Sequence, residues 1–229
     1  MKQNDQVIIL HRRNYSETSL IIKGFTKQFG LQSFIFKGGK KKAHALFPCS
    51  VCEIEFYKRP ESDLLQLTAA QMNRSLQIQF HPIKTSISFF IAEIIQNCVH
   101  ENQQDERVFE YLARAIHLLD ESNRVESYPV EFMFNLTSFL GIQPQVNDQR
   151  GEYFSLEDGV IDTNGQQGIY VERGQGVEVI RSLCLGQEID FNRDNREEAL
   201  QLLIRYFQMH IPGFKEPESY PIVREVLRG

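Results

Sequence analysis

Val51-Cys52-Glu53-Ile54-Glu55-Phe56-Tyr57 is the stretch on which the fold of this chain turns. Cys52, Ile54 and Phe56 alternate with Val51, Glu53 and Glu55, the period-2 pattern of a strand with one buried face and one solvated face. Working outward from it, the first 80 residues hold further short runs rich in Val, Ile, Leu and Phe: Val7 to His11, Leu20 to Phe25, Leu31 to Lys37 and Leu64 to Thr68. Turn-prone residues separate them, among them Asn14, Gly30, Gly38-Gly39 and Pro60. Five strands in about 70 residues, with no helical pattern between the first three, predict a small antiparallel barrel.

The OB-fold is the commonest partly open barrel of this size and a frequent nucleic-acid binder. From Pro82 onward the period changes to that of a helix. Ile83, Ile87, Phe90, Ile91, Ile94, Ile95, Cys98 and Val99 form an apolar stripe wide enough to require other helices over it. Val108, Tyr111, Leu112, Ala115, Ile116 and Leu119 repeat the pattern. A third helix runs from Pro129 to a stop at Gly141, with Phe132, Met133, Phe134, Leu136, Phe139 and Leu140 on several faces, a central position. Asp194 and Glu197 resemble a capping box before Ala199, Leu202, Leu203, Tyr206 and Phe207, a helix that stops at Pro212-Gly213. Between the helices lies a glycine-rich stretch, where Asn164-Gly165 between Val160-Ile161 and Ile169-Tyr170-Val171 predicts a hairpin or short ribbon. The expected architecture is therefore α+β: a five-stranded OB barrel over 1–80, then a helical domain over 81–229 with a small hairpin insertion at 149–176.

Composition narrows the function classes. The chain has 229 residues, 41% hydrophobic and 24% charged, inside the ordinary globular range. The longest apolar-rich stretch, Ile87 to Ile95, contains Ser88 and Glu93, so no transmembrane helix is expected. Met1-Lys2-Gln3-Asn4-Asp5 leads into only four apolar residues, too few for a signal peptide, and the expected location is the cytoplasm. Four cysteines are too sparse for a disulfide scaffold. The net charge of −5 hides a split. Residues 1–80 carry twelve basic and six acidic side chains, a balance of +6, while the remainder carries thirteen and twenty-four, a balance of −11. Such asymmetry points to a polyanion-binding unit joined to something else.

No Gly-x-Ser-x-Gly, His-Glu-x-x-His, Walker lysine loop or dinucleotide glycine fingerprint occurs, and no constellation supports an enzyme. Glu53 and Glu55 share one strand face, as a metal-dependent nuclease could use, or as solvated edge charge. Cys49-x-x-Cys52 has the spacing of half a zinc site, but Cys98 and Cys184 supply no second pair, so core packing accounts better for it. The strongest local motif is Lys37-Gly38-Gly39-Lys40-Lys41-Lys42. Its lysines either neutralise phosphates or form a solvated loop; the +6 domain around them favours phosphate. Phe34 and Phe36 lie on one strand face, either stacking on bases or filling the barrel.

Val7-Ile8-Ile9-Leu10, Tyr15-Ser16-Glu17-Thr18-Ser19, Phe25-Thr26 before Gly30-Leu31, and Phe36-Lys37-Gly38 together resemble the amino-terminal OB-fold of the RecO family of bacterial recombination mediators. Leu203 and Tyr206 with His210, Pro212, Ser219 and Val226-Leu227 resemble its carboxy-terminal ending. The resemblance implies an OB domain, a helical domain and, in many members, an inserted zinc ribbon. The insertion here has no cysteine, so a metal-free hairpin is expected and no cofactor. The resemblance further implies binding of single- and double-stranded DNA and annealing of strands coated by single-strand DNA-binding protein. It also implies cooperation with RecR in loading RecA, at the nucleoid. Candidate DNA contacts are Arg12, Arg13, Lys23, Lys37, Lys40, Lys41 and Lys42. In the family the acidic, phenylalanine-ended tail of single-strand DNA-binding protein docks on the helical domain. Arg107, Arg114, Arg205, His210 and Lys215 are candidate cations for it, near Phe207, Ile211 and Phe214, which otherwise seal the core. The residues themselves leave open an OB module for RNA, a protein adaptor and a nuclease.

Overall fold

Val7-Ile8-Ile9-Leu10 is apolar without alternation because both of its faces are covered. The computed structural model describes residues 2–41, 46–57, 64–73, 76–99, 101, 104–164 and 170–227. In it this run lies in β1 (Lys2–Asn14). Val7 and Ile9 join the barrel core, while Ile8 and Leu10 are equally buried outside that cluster. With β2 (Leu20–Thr26), β3 (Gly30–Phe36), β4 (Val51–Tyr57) and β5 (Leu64–Met72), β1 forms a closed barrel of order β1-β2-β3-β5-β4. The first part of β1 pairs with β4 and the later part with β2. The parallel pairing of β3 with β5 closes the ring. This is the expected five-stranded OB-like barrel, filled by Phe34, Phe36, Ile54, Phe56, Leu65 and Leu67.

The compact unit built on the barrel extends to residue 122 and includes α1 (Pro82–Cys98) and α2 (Glu106–Glu121). Phe25, opposite Ile8 in the ladder, meets Phe109 of α2 with ring centroids 6.1 Å apart. Lys27, in the β2–β3 turn, sits between Glu106 and Glu110 of α2. Asp120, near the end of α2, accepts the backbone N–H groups of Gln77 and Ile78 at 2.7 and 2.9 Å, and its own carbonyl accepts from the buried Lys84 Nζ at 2.6 Å. The change of period near Pro82 marks where helices begin, whereas the packed unit ends where their apolar faces have been used.

The second unit holds α3 (Tyr128–Leu140), β6 (Gln145–Val146), β7 (Tyr153–Ser155), β8 (Val160–Asp162), β9 (Val171–Glu172), α4 (Gln175–Cys184), α5 (Arg193–His210) and α6 (Tyr220–Val226). Its small sheet has the order β6-β8-β7-β9. The expected hairpin about Asn164-Gly165 is replaced by another: β8 pairs with β7, and β9 pairs with the opposite edge of β7. The turn that decides this spans residues 156–159, closed by the Gly159 N–H donating to the Ser155 carbonyl and Ser155 Oγ donating to Asp158. Gly165 and Ile169 lie outside the described residues. The capping box of α5 is Asn192 with Asn195, not Asp194 with Glu197, because the Asn195 amide oxygen accepts the cap N–H that the Glu197 carboxylate was expected to take. Gly141 ends α3 in the left-handed region, as its position predicts. No helix among the described residues is long and apolar enough to cross a membrane.

Candidate nucleic-acid interface

Only part of the barrel's outer surface is covered within its unit. Phe25 and Leu31 are buried on the outer face, but the later part of β1, the start of β2 and the end of β3 carry exposed or half-buried side chains there. The ladders arrange these in rows. Arg13, Ile21, Ile35, Gln66 and Tyr57 are successive neighbours, as are His11, Lys23 and Ser33 beside them. Arg12 is different: it stands opposite Ile22, a core residue, so it shares the inner face and is half-buried at the barrel end. It also has an interaction partner of its own.

The lysine run leaves the same end. Residues 39–41 make one 3-10 turn after β3. The Lys40 N–H donates to the Thr18 carbonyl at 3.2 Å, which ties this loop to the β1–β2 turn over residues 15–19. Gly38 adopts φ +70°, a conformation that favours glycine, and a Cβ on Gly39 would strike the Phe36 ring at 2.6 Å. The glycines thus shape the loop against the barrel. Lys37 and Lys41 are exposed and Lys40 half-buried; Lys42 lies outside the described residues. Arg13, Lys23, Lys37, Lys40 and Lys41 therefore converge with Glu17 as the only acidic side chain described on these segments. Elsewhere on the barrel Lys2 Nζ pairs with Glu55 at 2.8 Å, and Glu53 accepts from the neutral Gln6 Nε2 at 2.8 Å. Glu53 and Glu55 are thus engaged in ordinary surface contacts, and no cluster of three or more metal-ligating side chains occurs among the described residues.

Phe34 and Phe36 are 1% and 4% exposed and fill the barrel, so they offer no ring to a base. The sequence gives no prominence to Tyr15 and Tyr57, which are exposed. The clue lay in alternation: Tyr57 follows the inward Phe56 and must face out.

In the second unit, Arg205 pairs with Glu172 at 2.5 Å, and His210 Nε2 donates to the Leu156 carbonyl at 2.7 Å while its ring packs on Tyr206. Both side chains tie the small sheet to α5. Phe207, Ile211 and Phe214 are buried, Phe207 and Phe214 with centroids 5.4 Å apart, so they seal the core. Lys215 is exposed. Arg107 and Arg114 lie on α2, in the barrel's unit.

The four thiols are held protonated. Cys49 and Cys52 are buried, and Cys49 Sγ donates to the Ser88 carbonyl at 3.1 Å. Burial raises the Cys49 and Cys98 thiols strongly, Cys52 to about 12 and the half-buried Cys184 to about 11. A thiol reagent at neutral pH is expected to label Cys184 first and slowly, and the other three only on unfolding. Rapid labelling of Cys49 or Cys52 in the native protein would contradict their place in the core.

Two family models cover the chain: Recombination protein O N terminal over residues 1–76, and Recombination protein O C terminal over residues 79–218. The chain belongs to the RecO family. RecO is a family of DNA repair and recombination, and the boundary between its two models falls just after the last barrel strand. The chain is similar to the DNA repair protein RecO of Christiangramia forsetii, 29% identical with 96% of this chain and 97% of that protein covered. It is also similar to those of Flavobacterium psychrophilum and Bacteroides fragilis, each 25% identical with 99% of both chains covered.

Proposed function

We propose that this RecO-family chain is a non-catalytic recombination mediator that binds single- and double-stranded DNA at the barrel end formed by Arg13, Lys23, Lys37, Lys40 and Lys41. The observation that carries this reading is the grouping of those cations on exposed or half-buried positions of one sheet region and its two linked loops, with Glu17 the only acidic side chain described on these segments. Counterions released from DNA on contact with such a surface supply sequence-independent affinity. The same surface screens two strands from each other and lets them slide into register, which is what annealing requires. Residues 1–80 are the proposed nucleic-acid-binding domain, with Arg12 and Lys42 as further contacts. The helical part is the proposed docking region for RecR and for the acidic tail of single-strand DNA-binding protein, with Arg205, His210 and Lys215 as its candidate cations. Loading of RecA on coated DNA at the nucleoid follows from those contacts, and no metal or other cofactor is invoked.

The test is annealing of complementary oligonucleotides precoated with the cognate single-strand DNA-binding protein. The full chain is expected to accelerate annealing without nucleotide or metal, with acceleration fading as salt rises. No acceleration would sink the mediator reading. RNA competing equally with DNA would favour an RNA-binding module, and strand cleavage with a divalent metal would favour a nuclease.

A further inference from the structure

Arg193 and Arg196 stand in the first turn of α5, where the helix dipole disfavours cations. With Arg224 and Tyr220 of α6 they line a small cleft between the two helices, half open to solvent. Glu197 is the only acidic side chain on its described lining. The Arg196 guanidinium donates to the Leu227 carbonyl at 2.8 Å, and Arg224 Nε lies 3.6 Å from Glu197. A guanidinium carries five N–H donors, so these contacts leave most of the donors unused.

Tyr220 is 6% exposed, and its buried hydroxyl has no hydrogen-bond partner among the described residues. Buried phenols ordinarily find one, because an unmade bond leaves the full cost of desolvation. Burial raises the Tyr220 pKa, Gln201 and Arg224 oppose the rise, and Glu197 and Glu216 add to it. Gln201 is thus near the hydroxyl without completing a hydrogen bond. Arg224 and Glu197 both line the cleft, so the hydroxyl they act on lies on its side. A cation would meet like charge here, and an apolar ligand would leave every donor unmatched. Three guanidinium groups against one carboxylate leave an excess of two positive charges, which matches a dianionic phosphate better than a single carboxylate, and the guanidinium fork fits its oxygens. We propose that this cleft binds a phosphate group, held by Arg193, Arg196 and Arg224, with the Tyr220 hydroxyl donating to one of its oxygens. The anion also offsets the unfavourable place of two arginines at a helix N-terminus. Inorganic phosphate and the phosphate of a nucleotide present this same chemistry. The site lies in the second unit and does not depend on the DNA-binding role of the barrel.

The experiment melts the full chain in inorganic phosphate and in sodium chloride of equal ionic strength, for wild type, Tyr220→Phe and Arg193→Gln, and measures phosphate affinity by calorimetric titration. Wild type is expected to melt higher in phosphate than in chloride. Tyr220→Phe is expected to melt at or above wild type in chloride, since it removes an unpaired buried hydroxyl, and to lose roughly tenfold or more in phosphate affinity, the worth of a hydrogen bond to a charged group. Arg193→Gln, at an exposed position, is expected to weaken phosphate binding by a similar factor and to leave the chloride melt unchanged. Thymidine 5′-monophosphate and thymidine distinguish the sources. Monophosphate binding at least as tightly as phosphate, with thymidine inert, assigns the cleft to a nucleotide's phosphate; phosphate binding more tightly than the monophosphate assigns it to the free ion. Phosphate that stabilises wild type no more than chloride does, or stabilises all three proteins equally as loose attraction to the barrel lysines would, overturns the proposal. A Tyr220→Phe protein that melts well below wild type in chloride also overturns it, because the hydroxyl would then be satisfied within the fold.

Discussion

Replacement of Lys37, Lys40 and Lys41 together by Ala is expected to weaken binding at 0.1 M salt by roughly 100-fold for single strands and 500-fold for duplex. Those figures assume one phosphate per lysine, with log affinity changing by about 0.7 or 0.9 per contact for each decade of salt below 1 M. The plot of log affinity against log salt should flatten by about 2 to 3, equally for all sequences, because the lysines reach phosphates and read no bases. The substitution leaves the loop's anchor in place, since Lys40 holds Thr18 through its backbone N–H. Equilibrium titrations at four or five salt concentrations give the slope directly. An unchanged slope would make residues 37–41 a solvated loop and move the DNA surface elsewhere.

Phe34→Ala is expected to act through folding. The ring is 1% exposed and packs edge-on against Phe56, centroids 5.4 Å apart, with Phe56 packed in turn on Phe29. Truncation of a buried phenylalanine costs about 3–5 kcal/mol, from lost apolar burial and the cavity left behind. A thermal melt should show the barrel transition lowered by roughly 10 °C or more. DNA affinity measured well below that transition should stay near wild type, because the ring faces away from the outer surface. Loss of affinity with an unchanged melt would place Phe34 on the binding face and overturn the description of the core.

The barrel was legible because most of its strands bury one face, and one-sided burial writes itself as alternation at Cys52, Ile54 and Phe56. The grouping of the cations was not legible. Continuing the alternation from Val7 and Ile9 would send His11 and Arg13 inward and Arg12 outward. A bulge between Ile9 and His11 reverses the phase, so Arg13 joins Lys23 on the outer face while Arg12 turns to the side of Ile22. Nothing in the residue types announces that extra residue. The short helices α4 and α6 were hidden for a different reason. Gly174 and Gly176 at the start of α4 read as loop, and α6 spans only seven residues, too few for a periodic stripe. The cap that Asp120 places on Gln77 and Ile78 joins positions more than forty residues apart, beyond any local pattern.

The divided pairing of β1 also sets an order of events during synthesis. Its later part needs only the turn over residues 15–19 to meet β2, and the turn before Gly30 then brings in β3. Lys2 to Ile8 must wait for Val51 to Tyr57, and the parallel β3–β5 pair waits longer still. Loop closure over such separations is slow, and an unpaired apolar edge is the surface through which nascent chains associate wrongly. No fragment that ends before β4 can protect Val7 and Ile8 on that side. A growing chain therefore carries an unprotected apolar edge on β1 until β4 emerges, and an open barrel until β5 does.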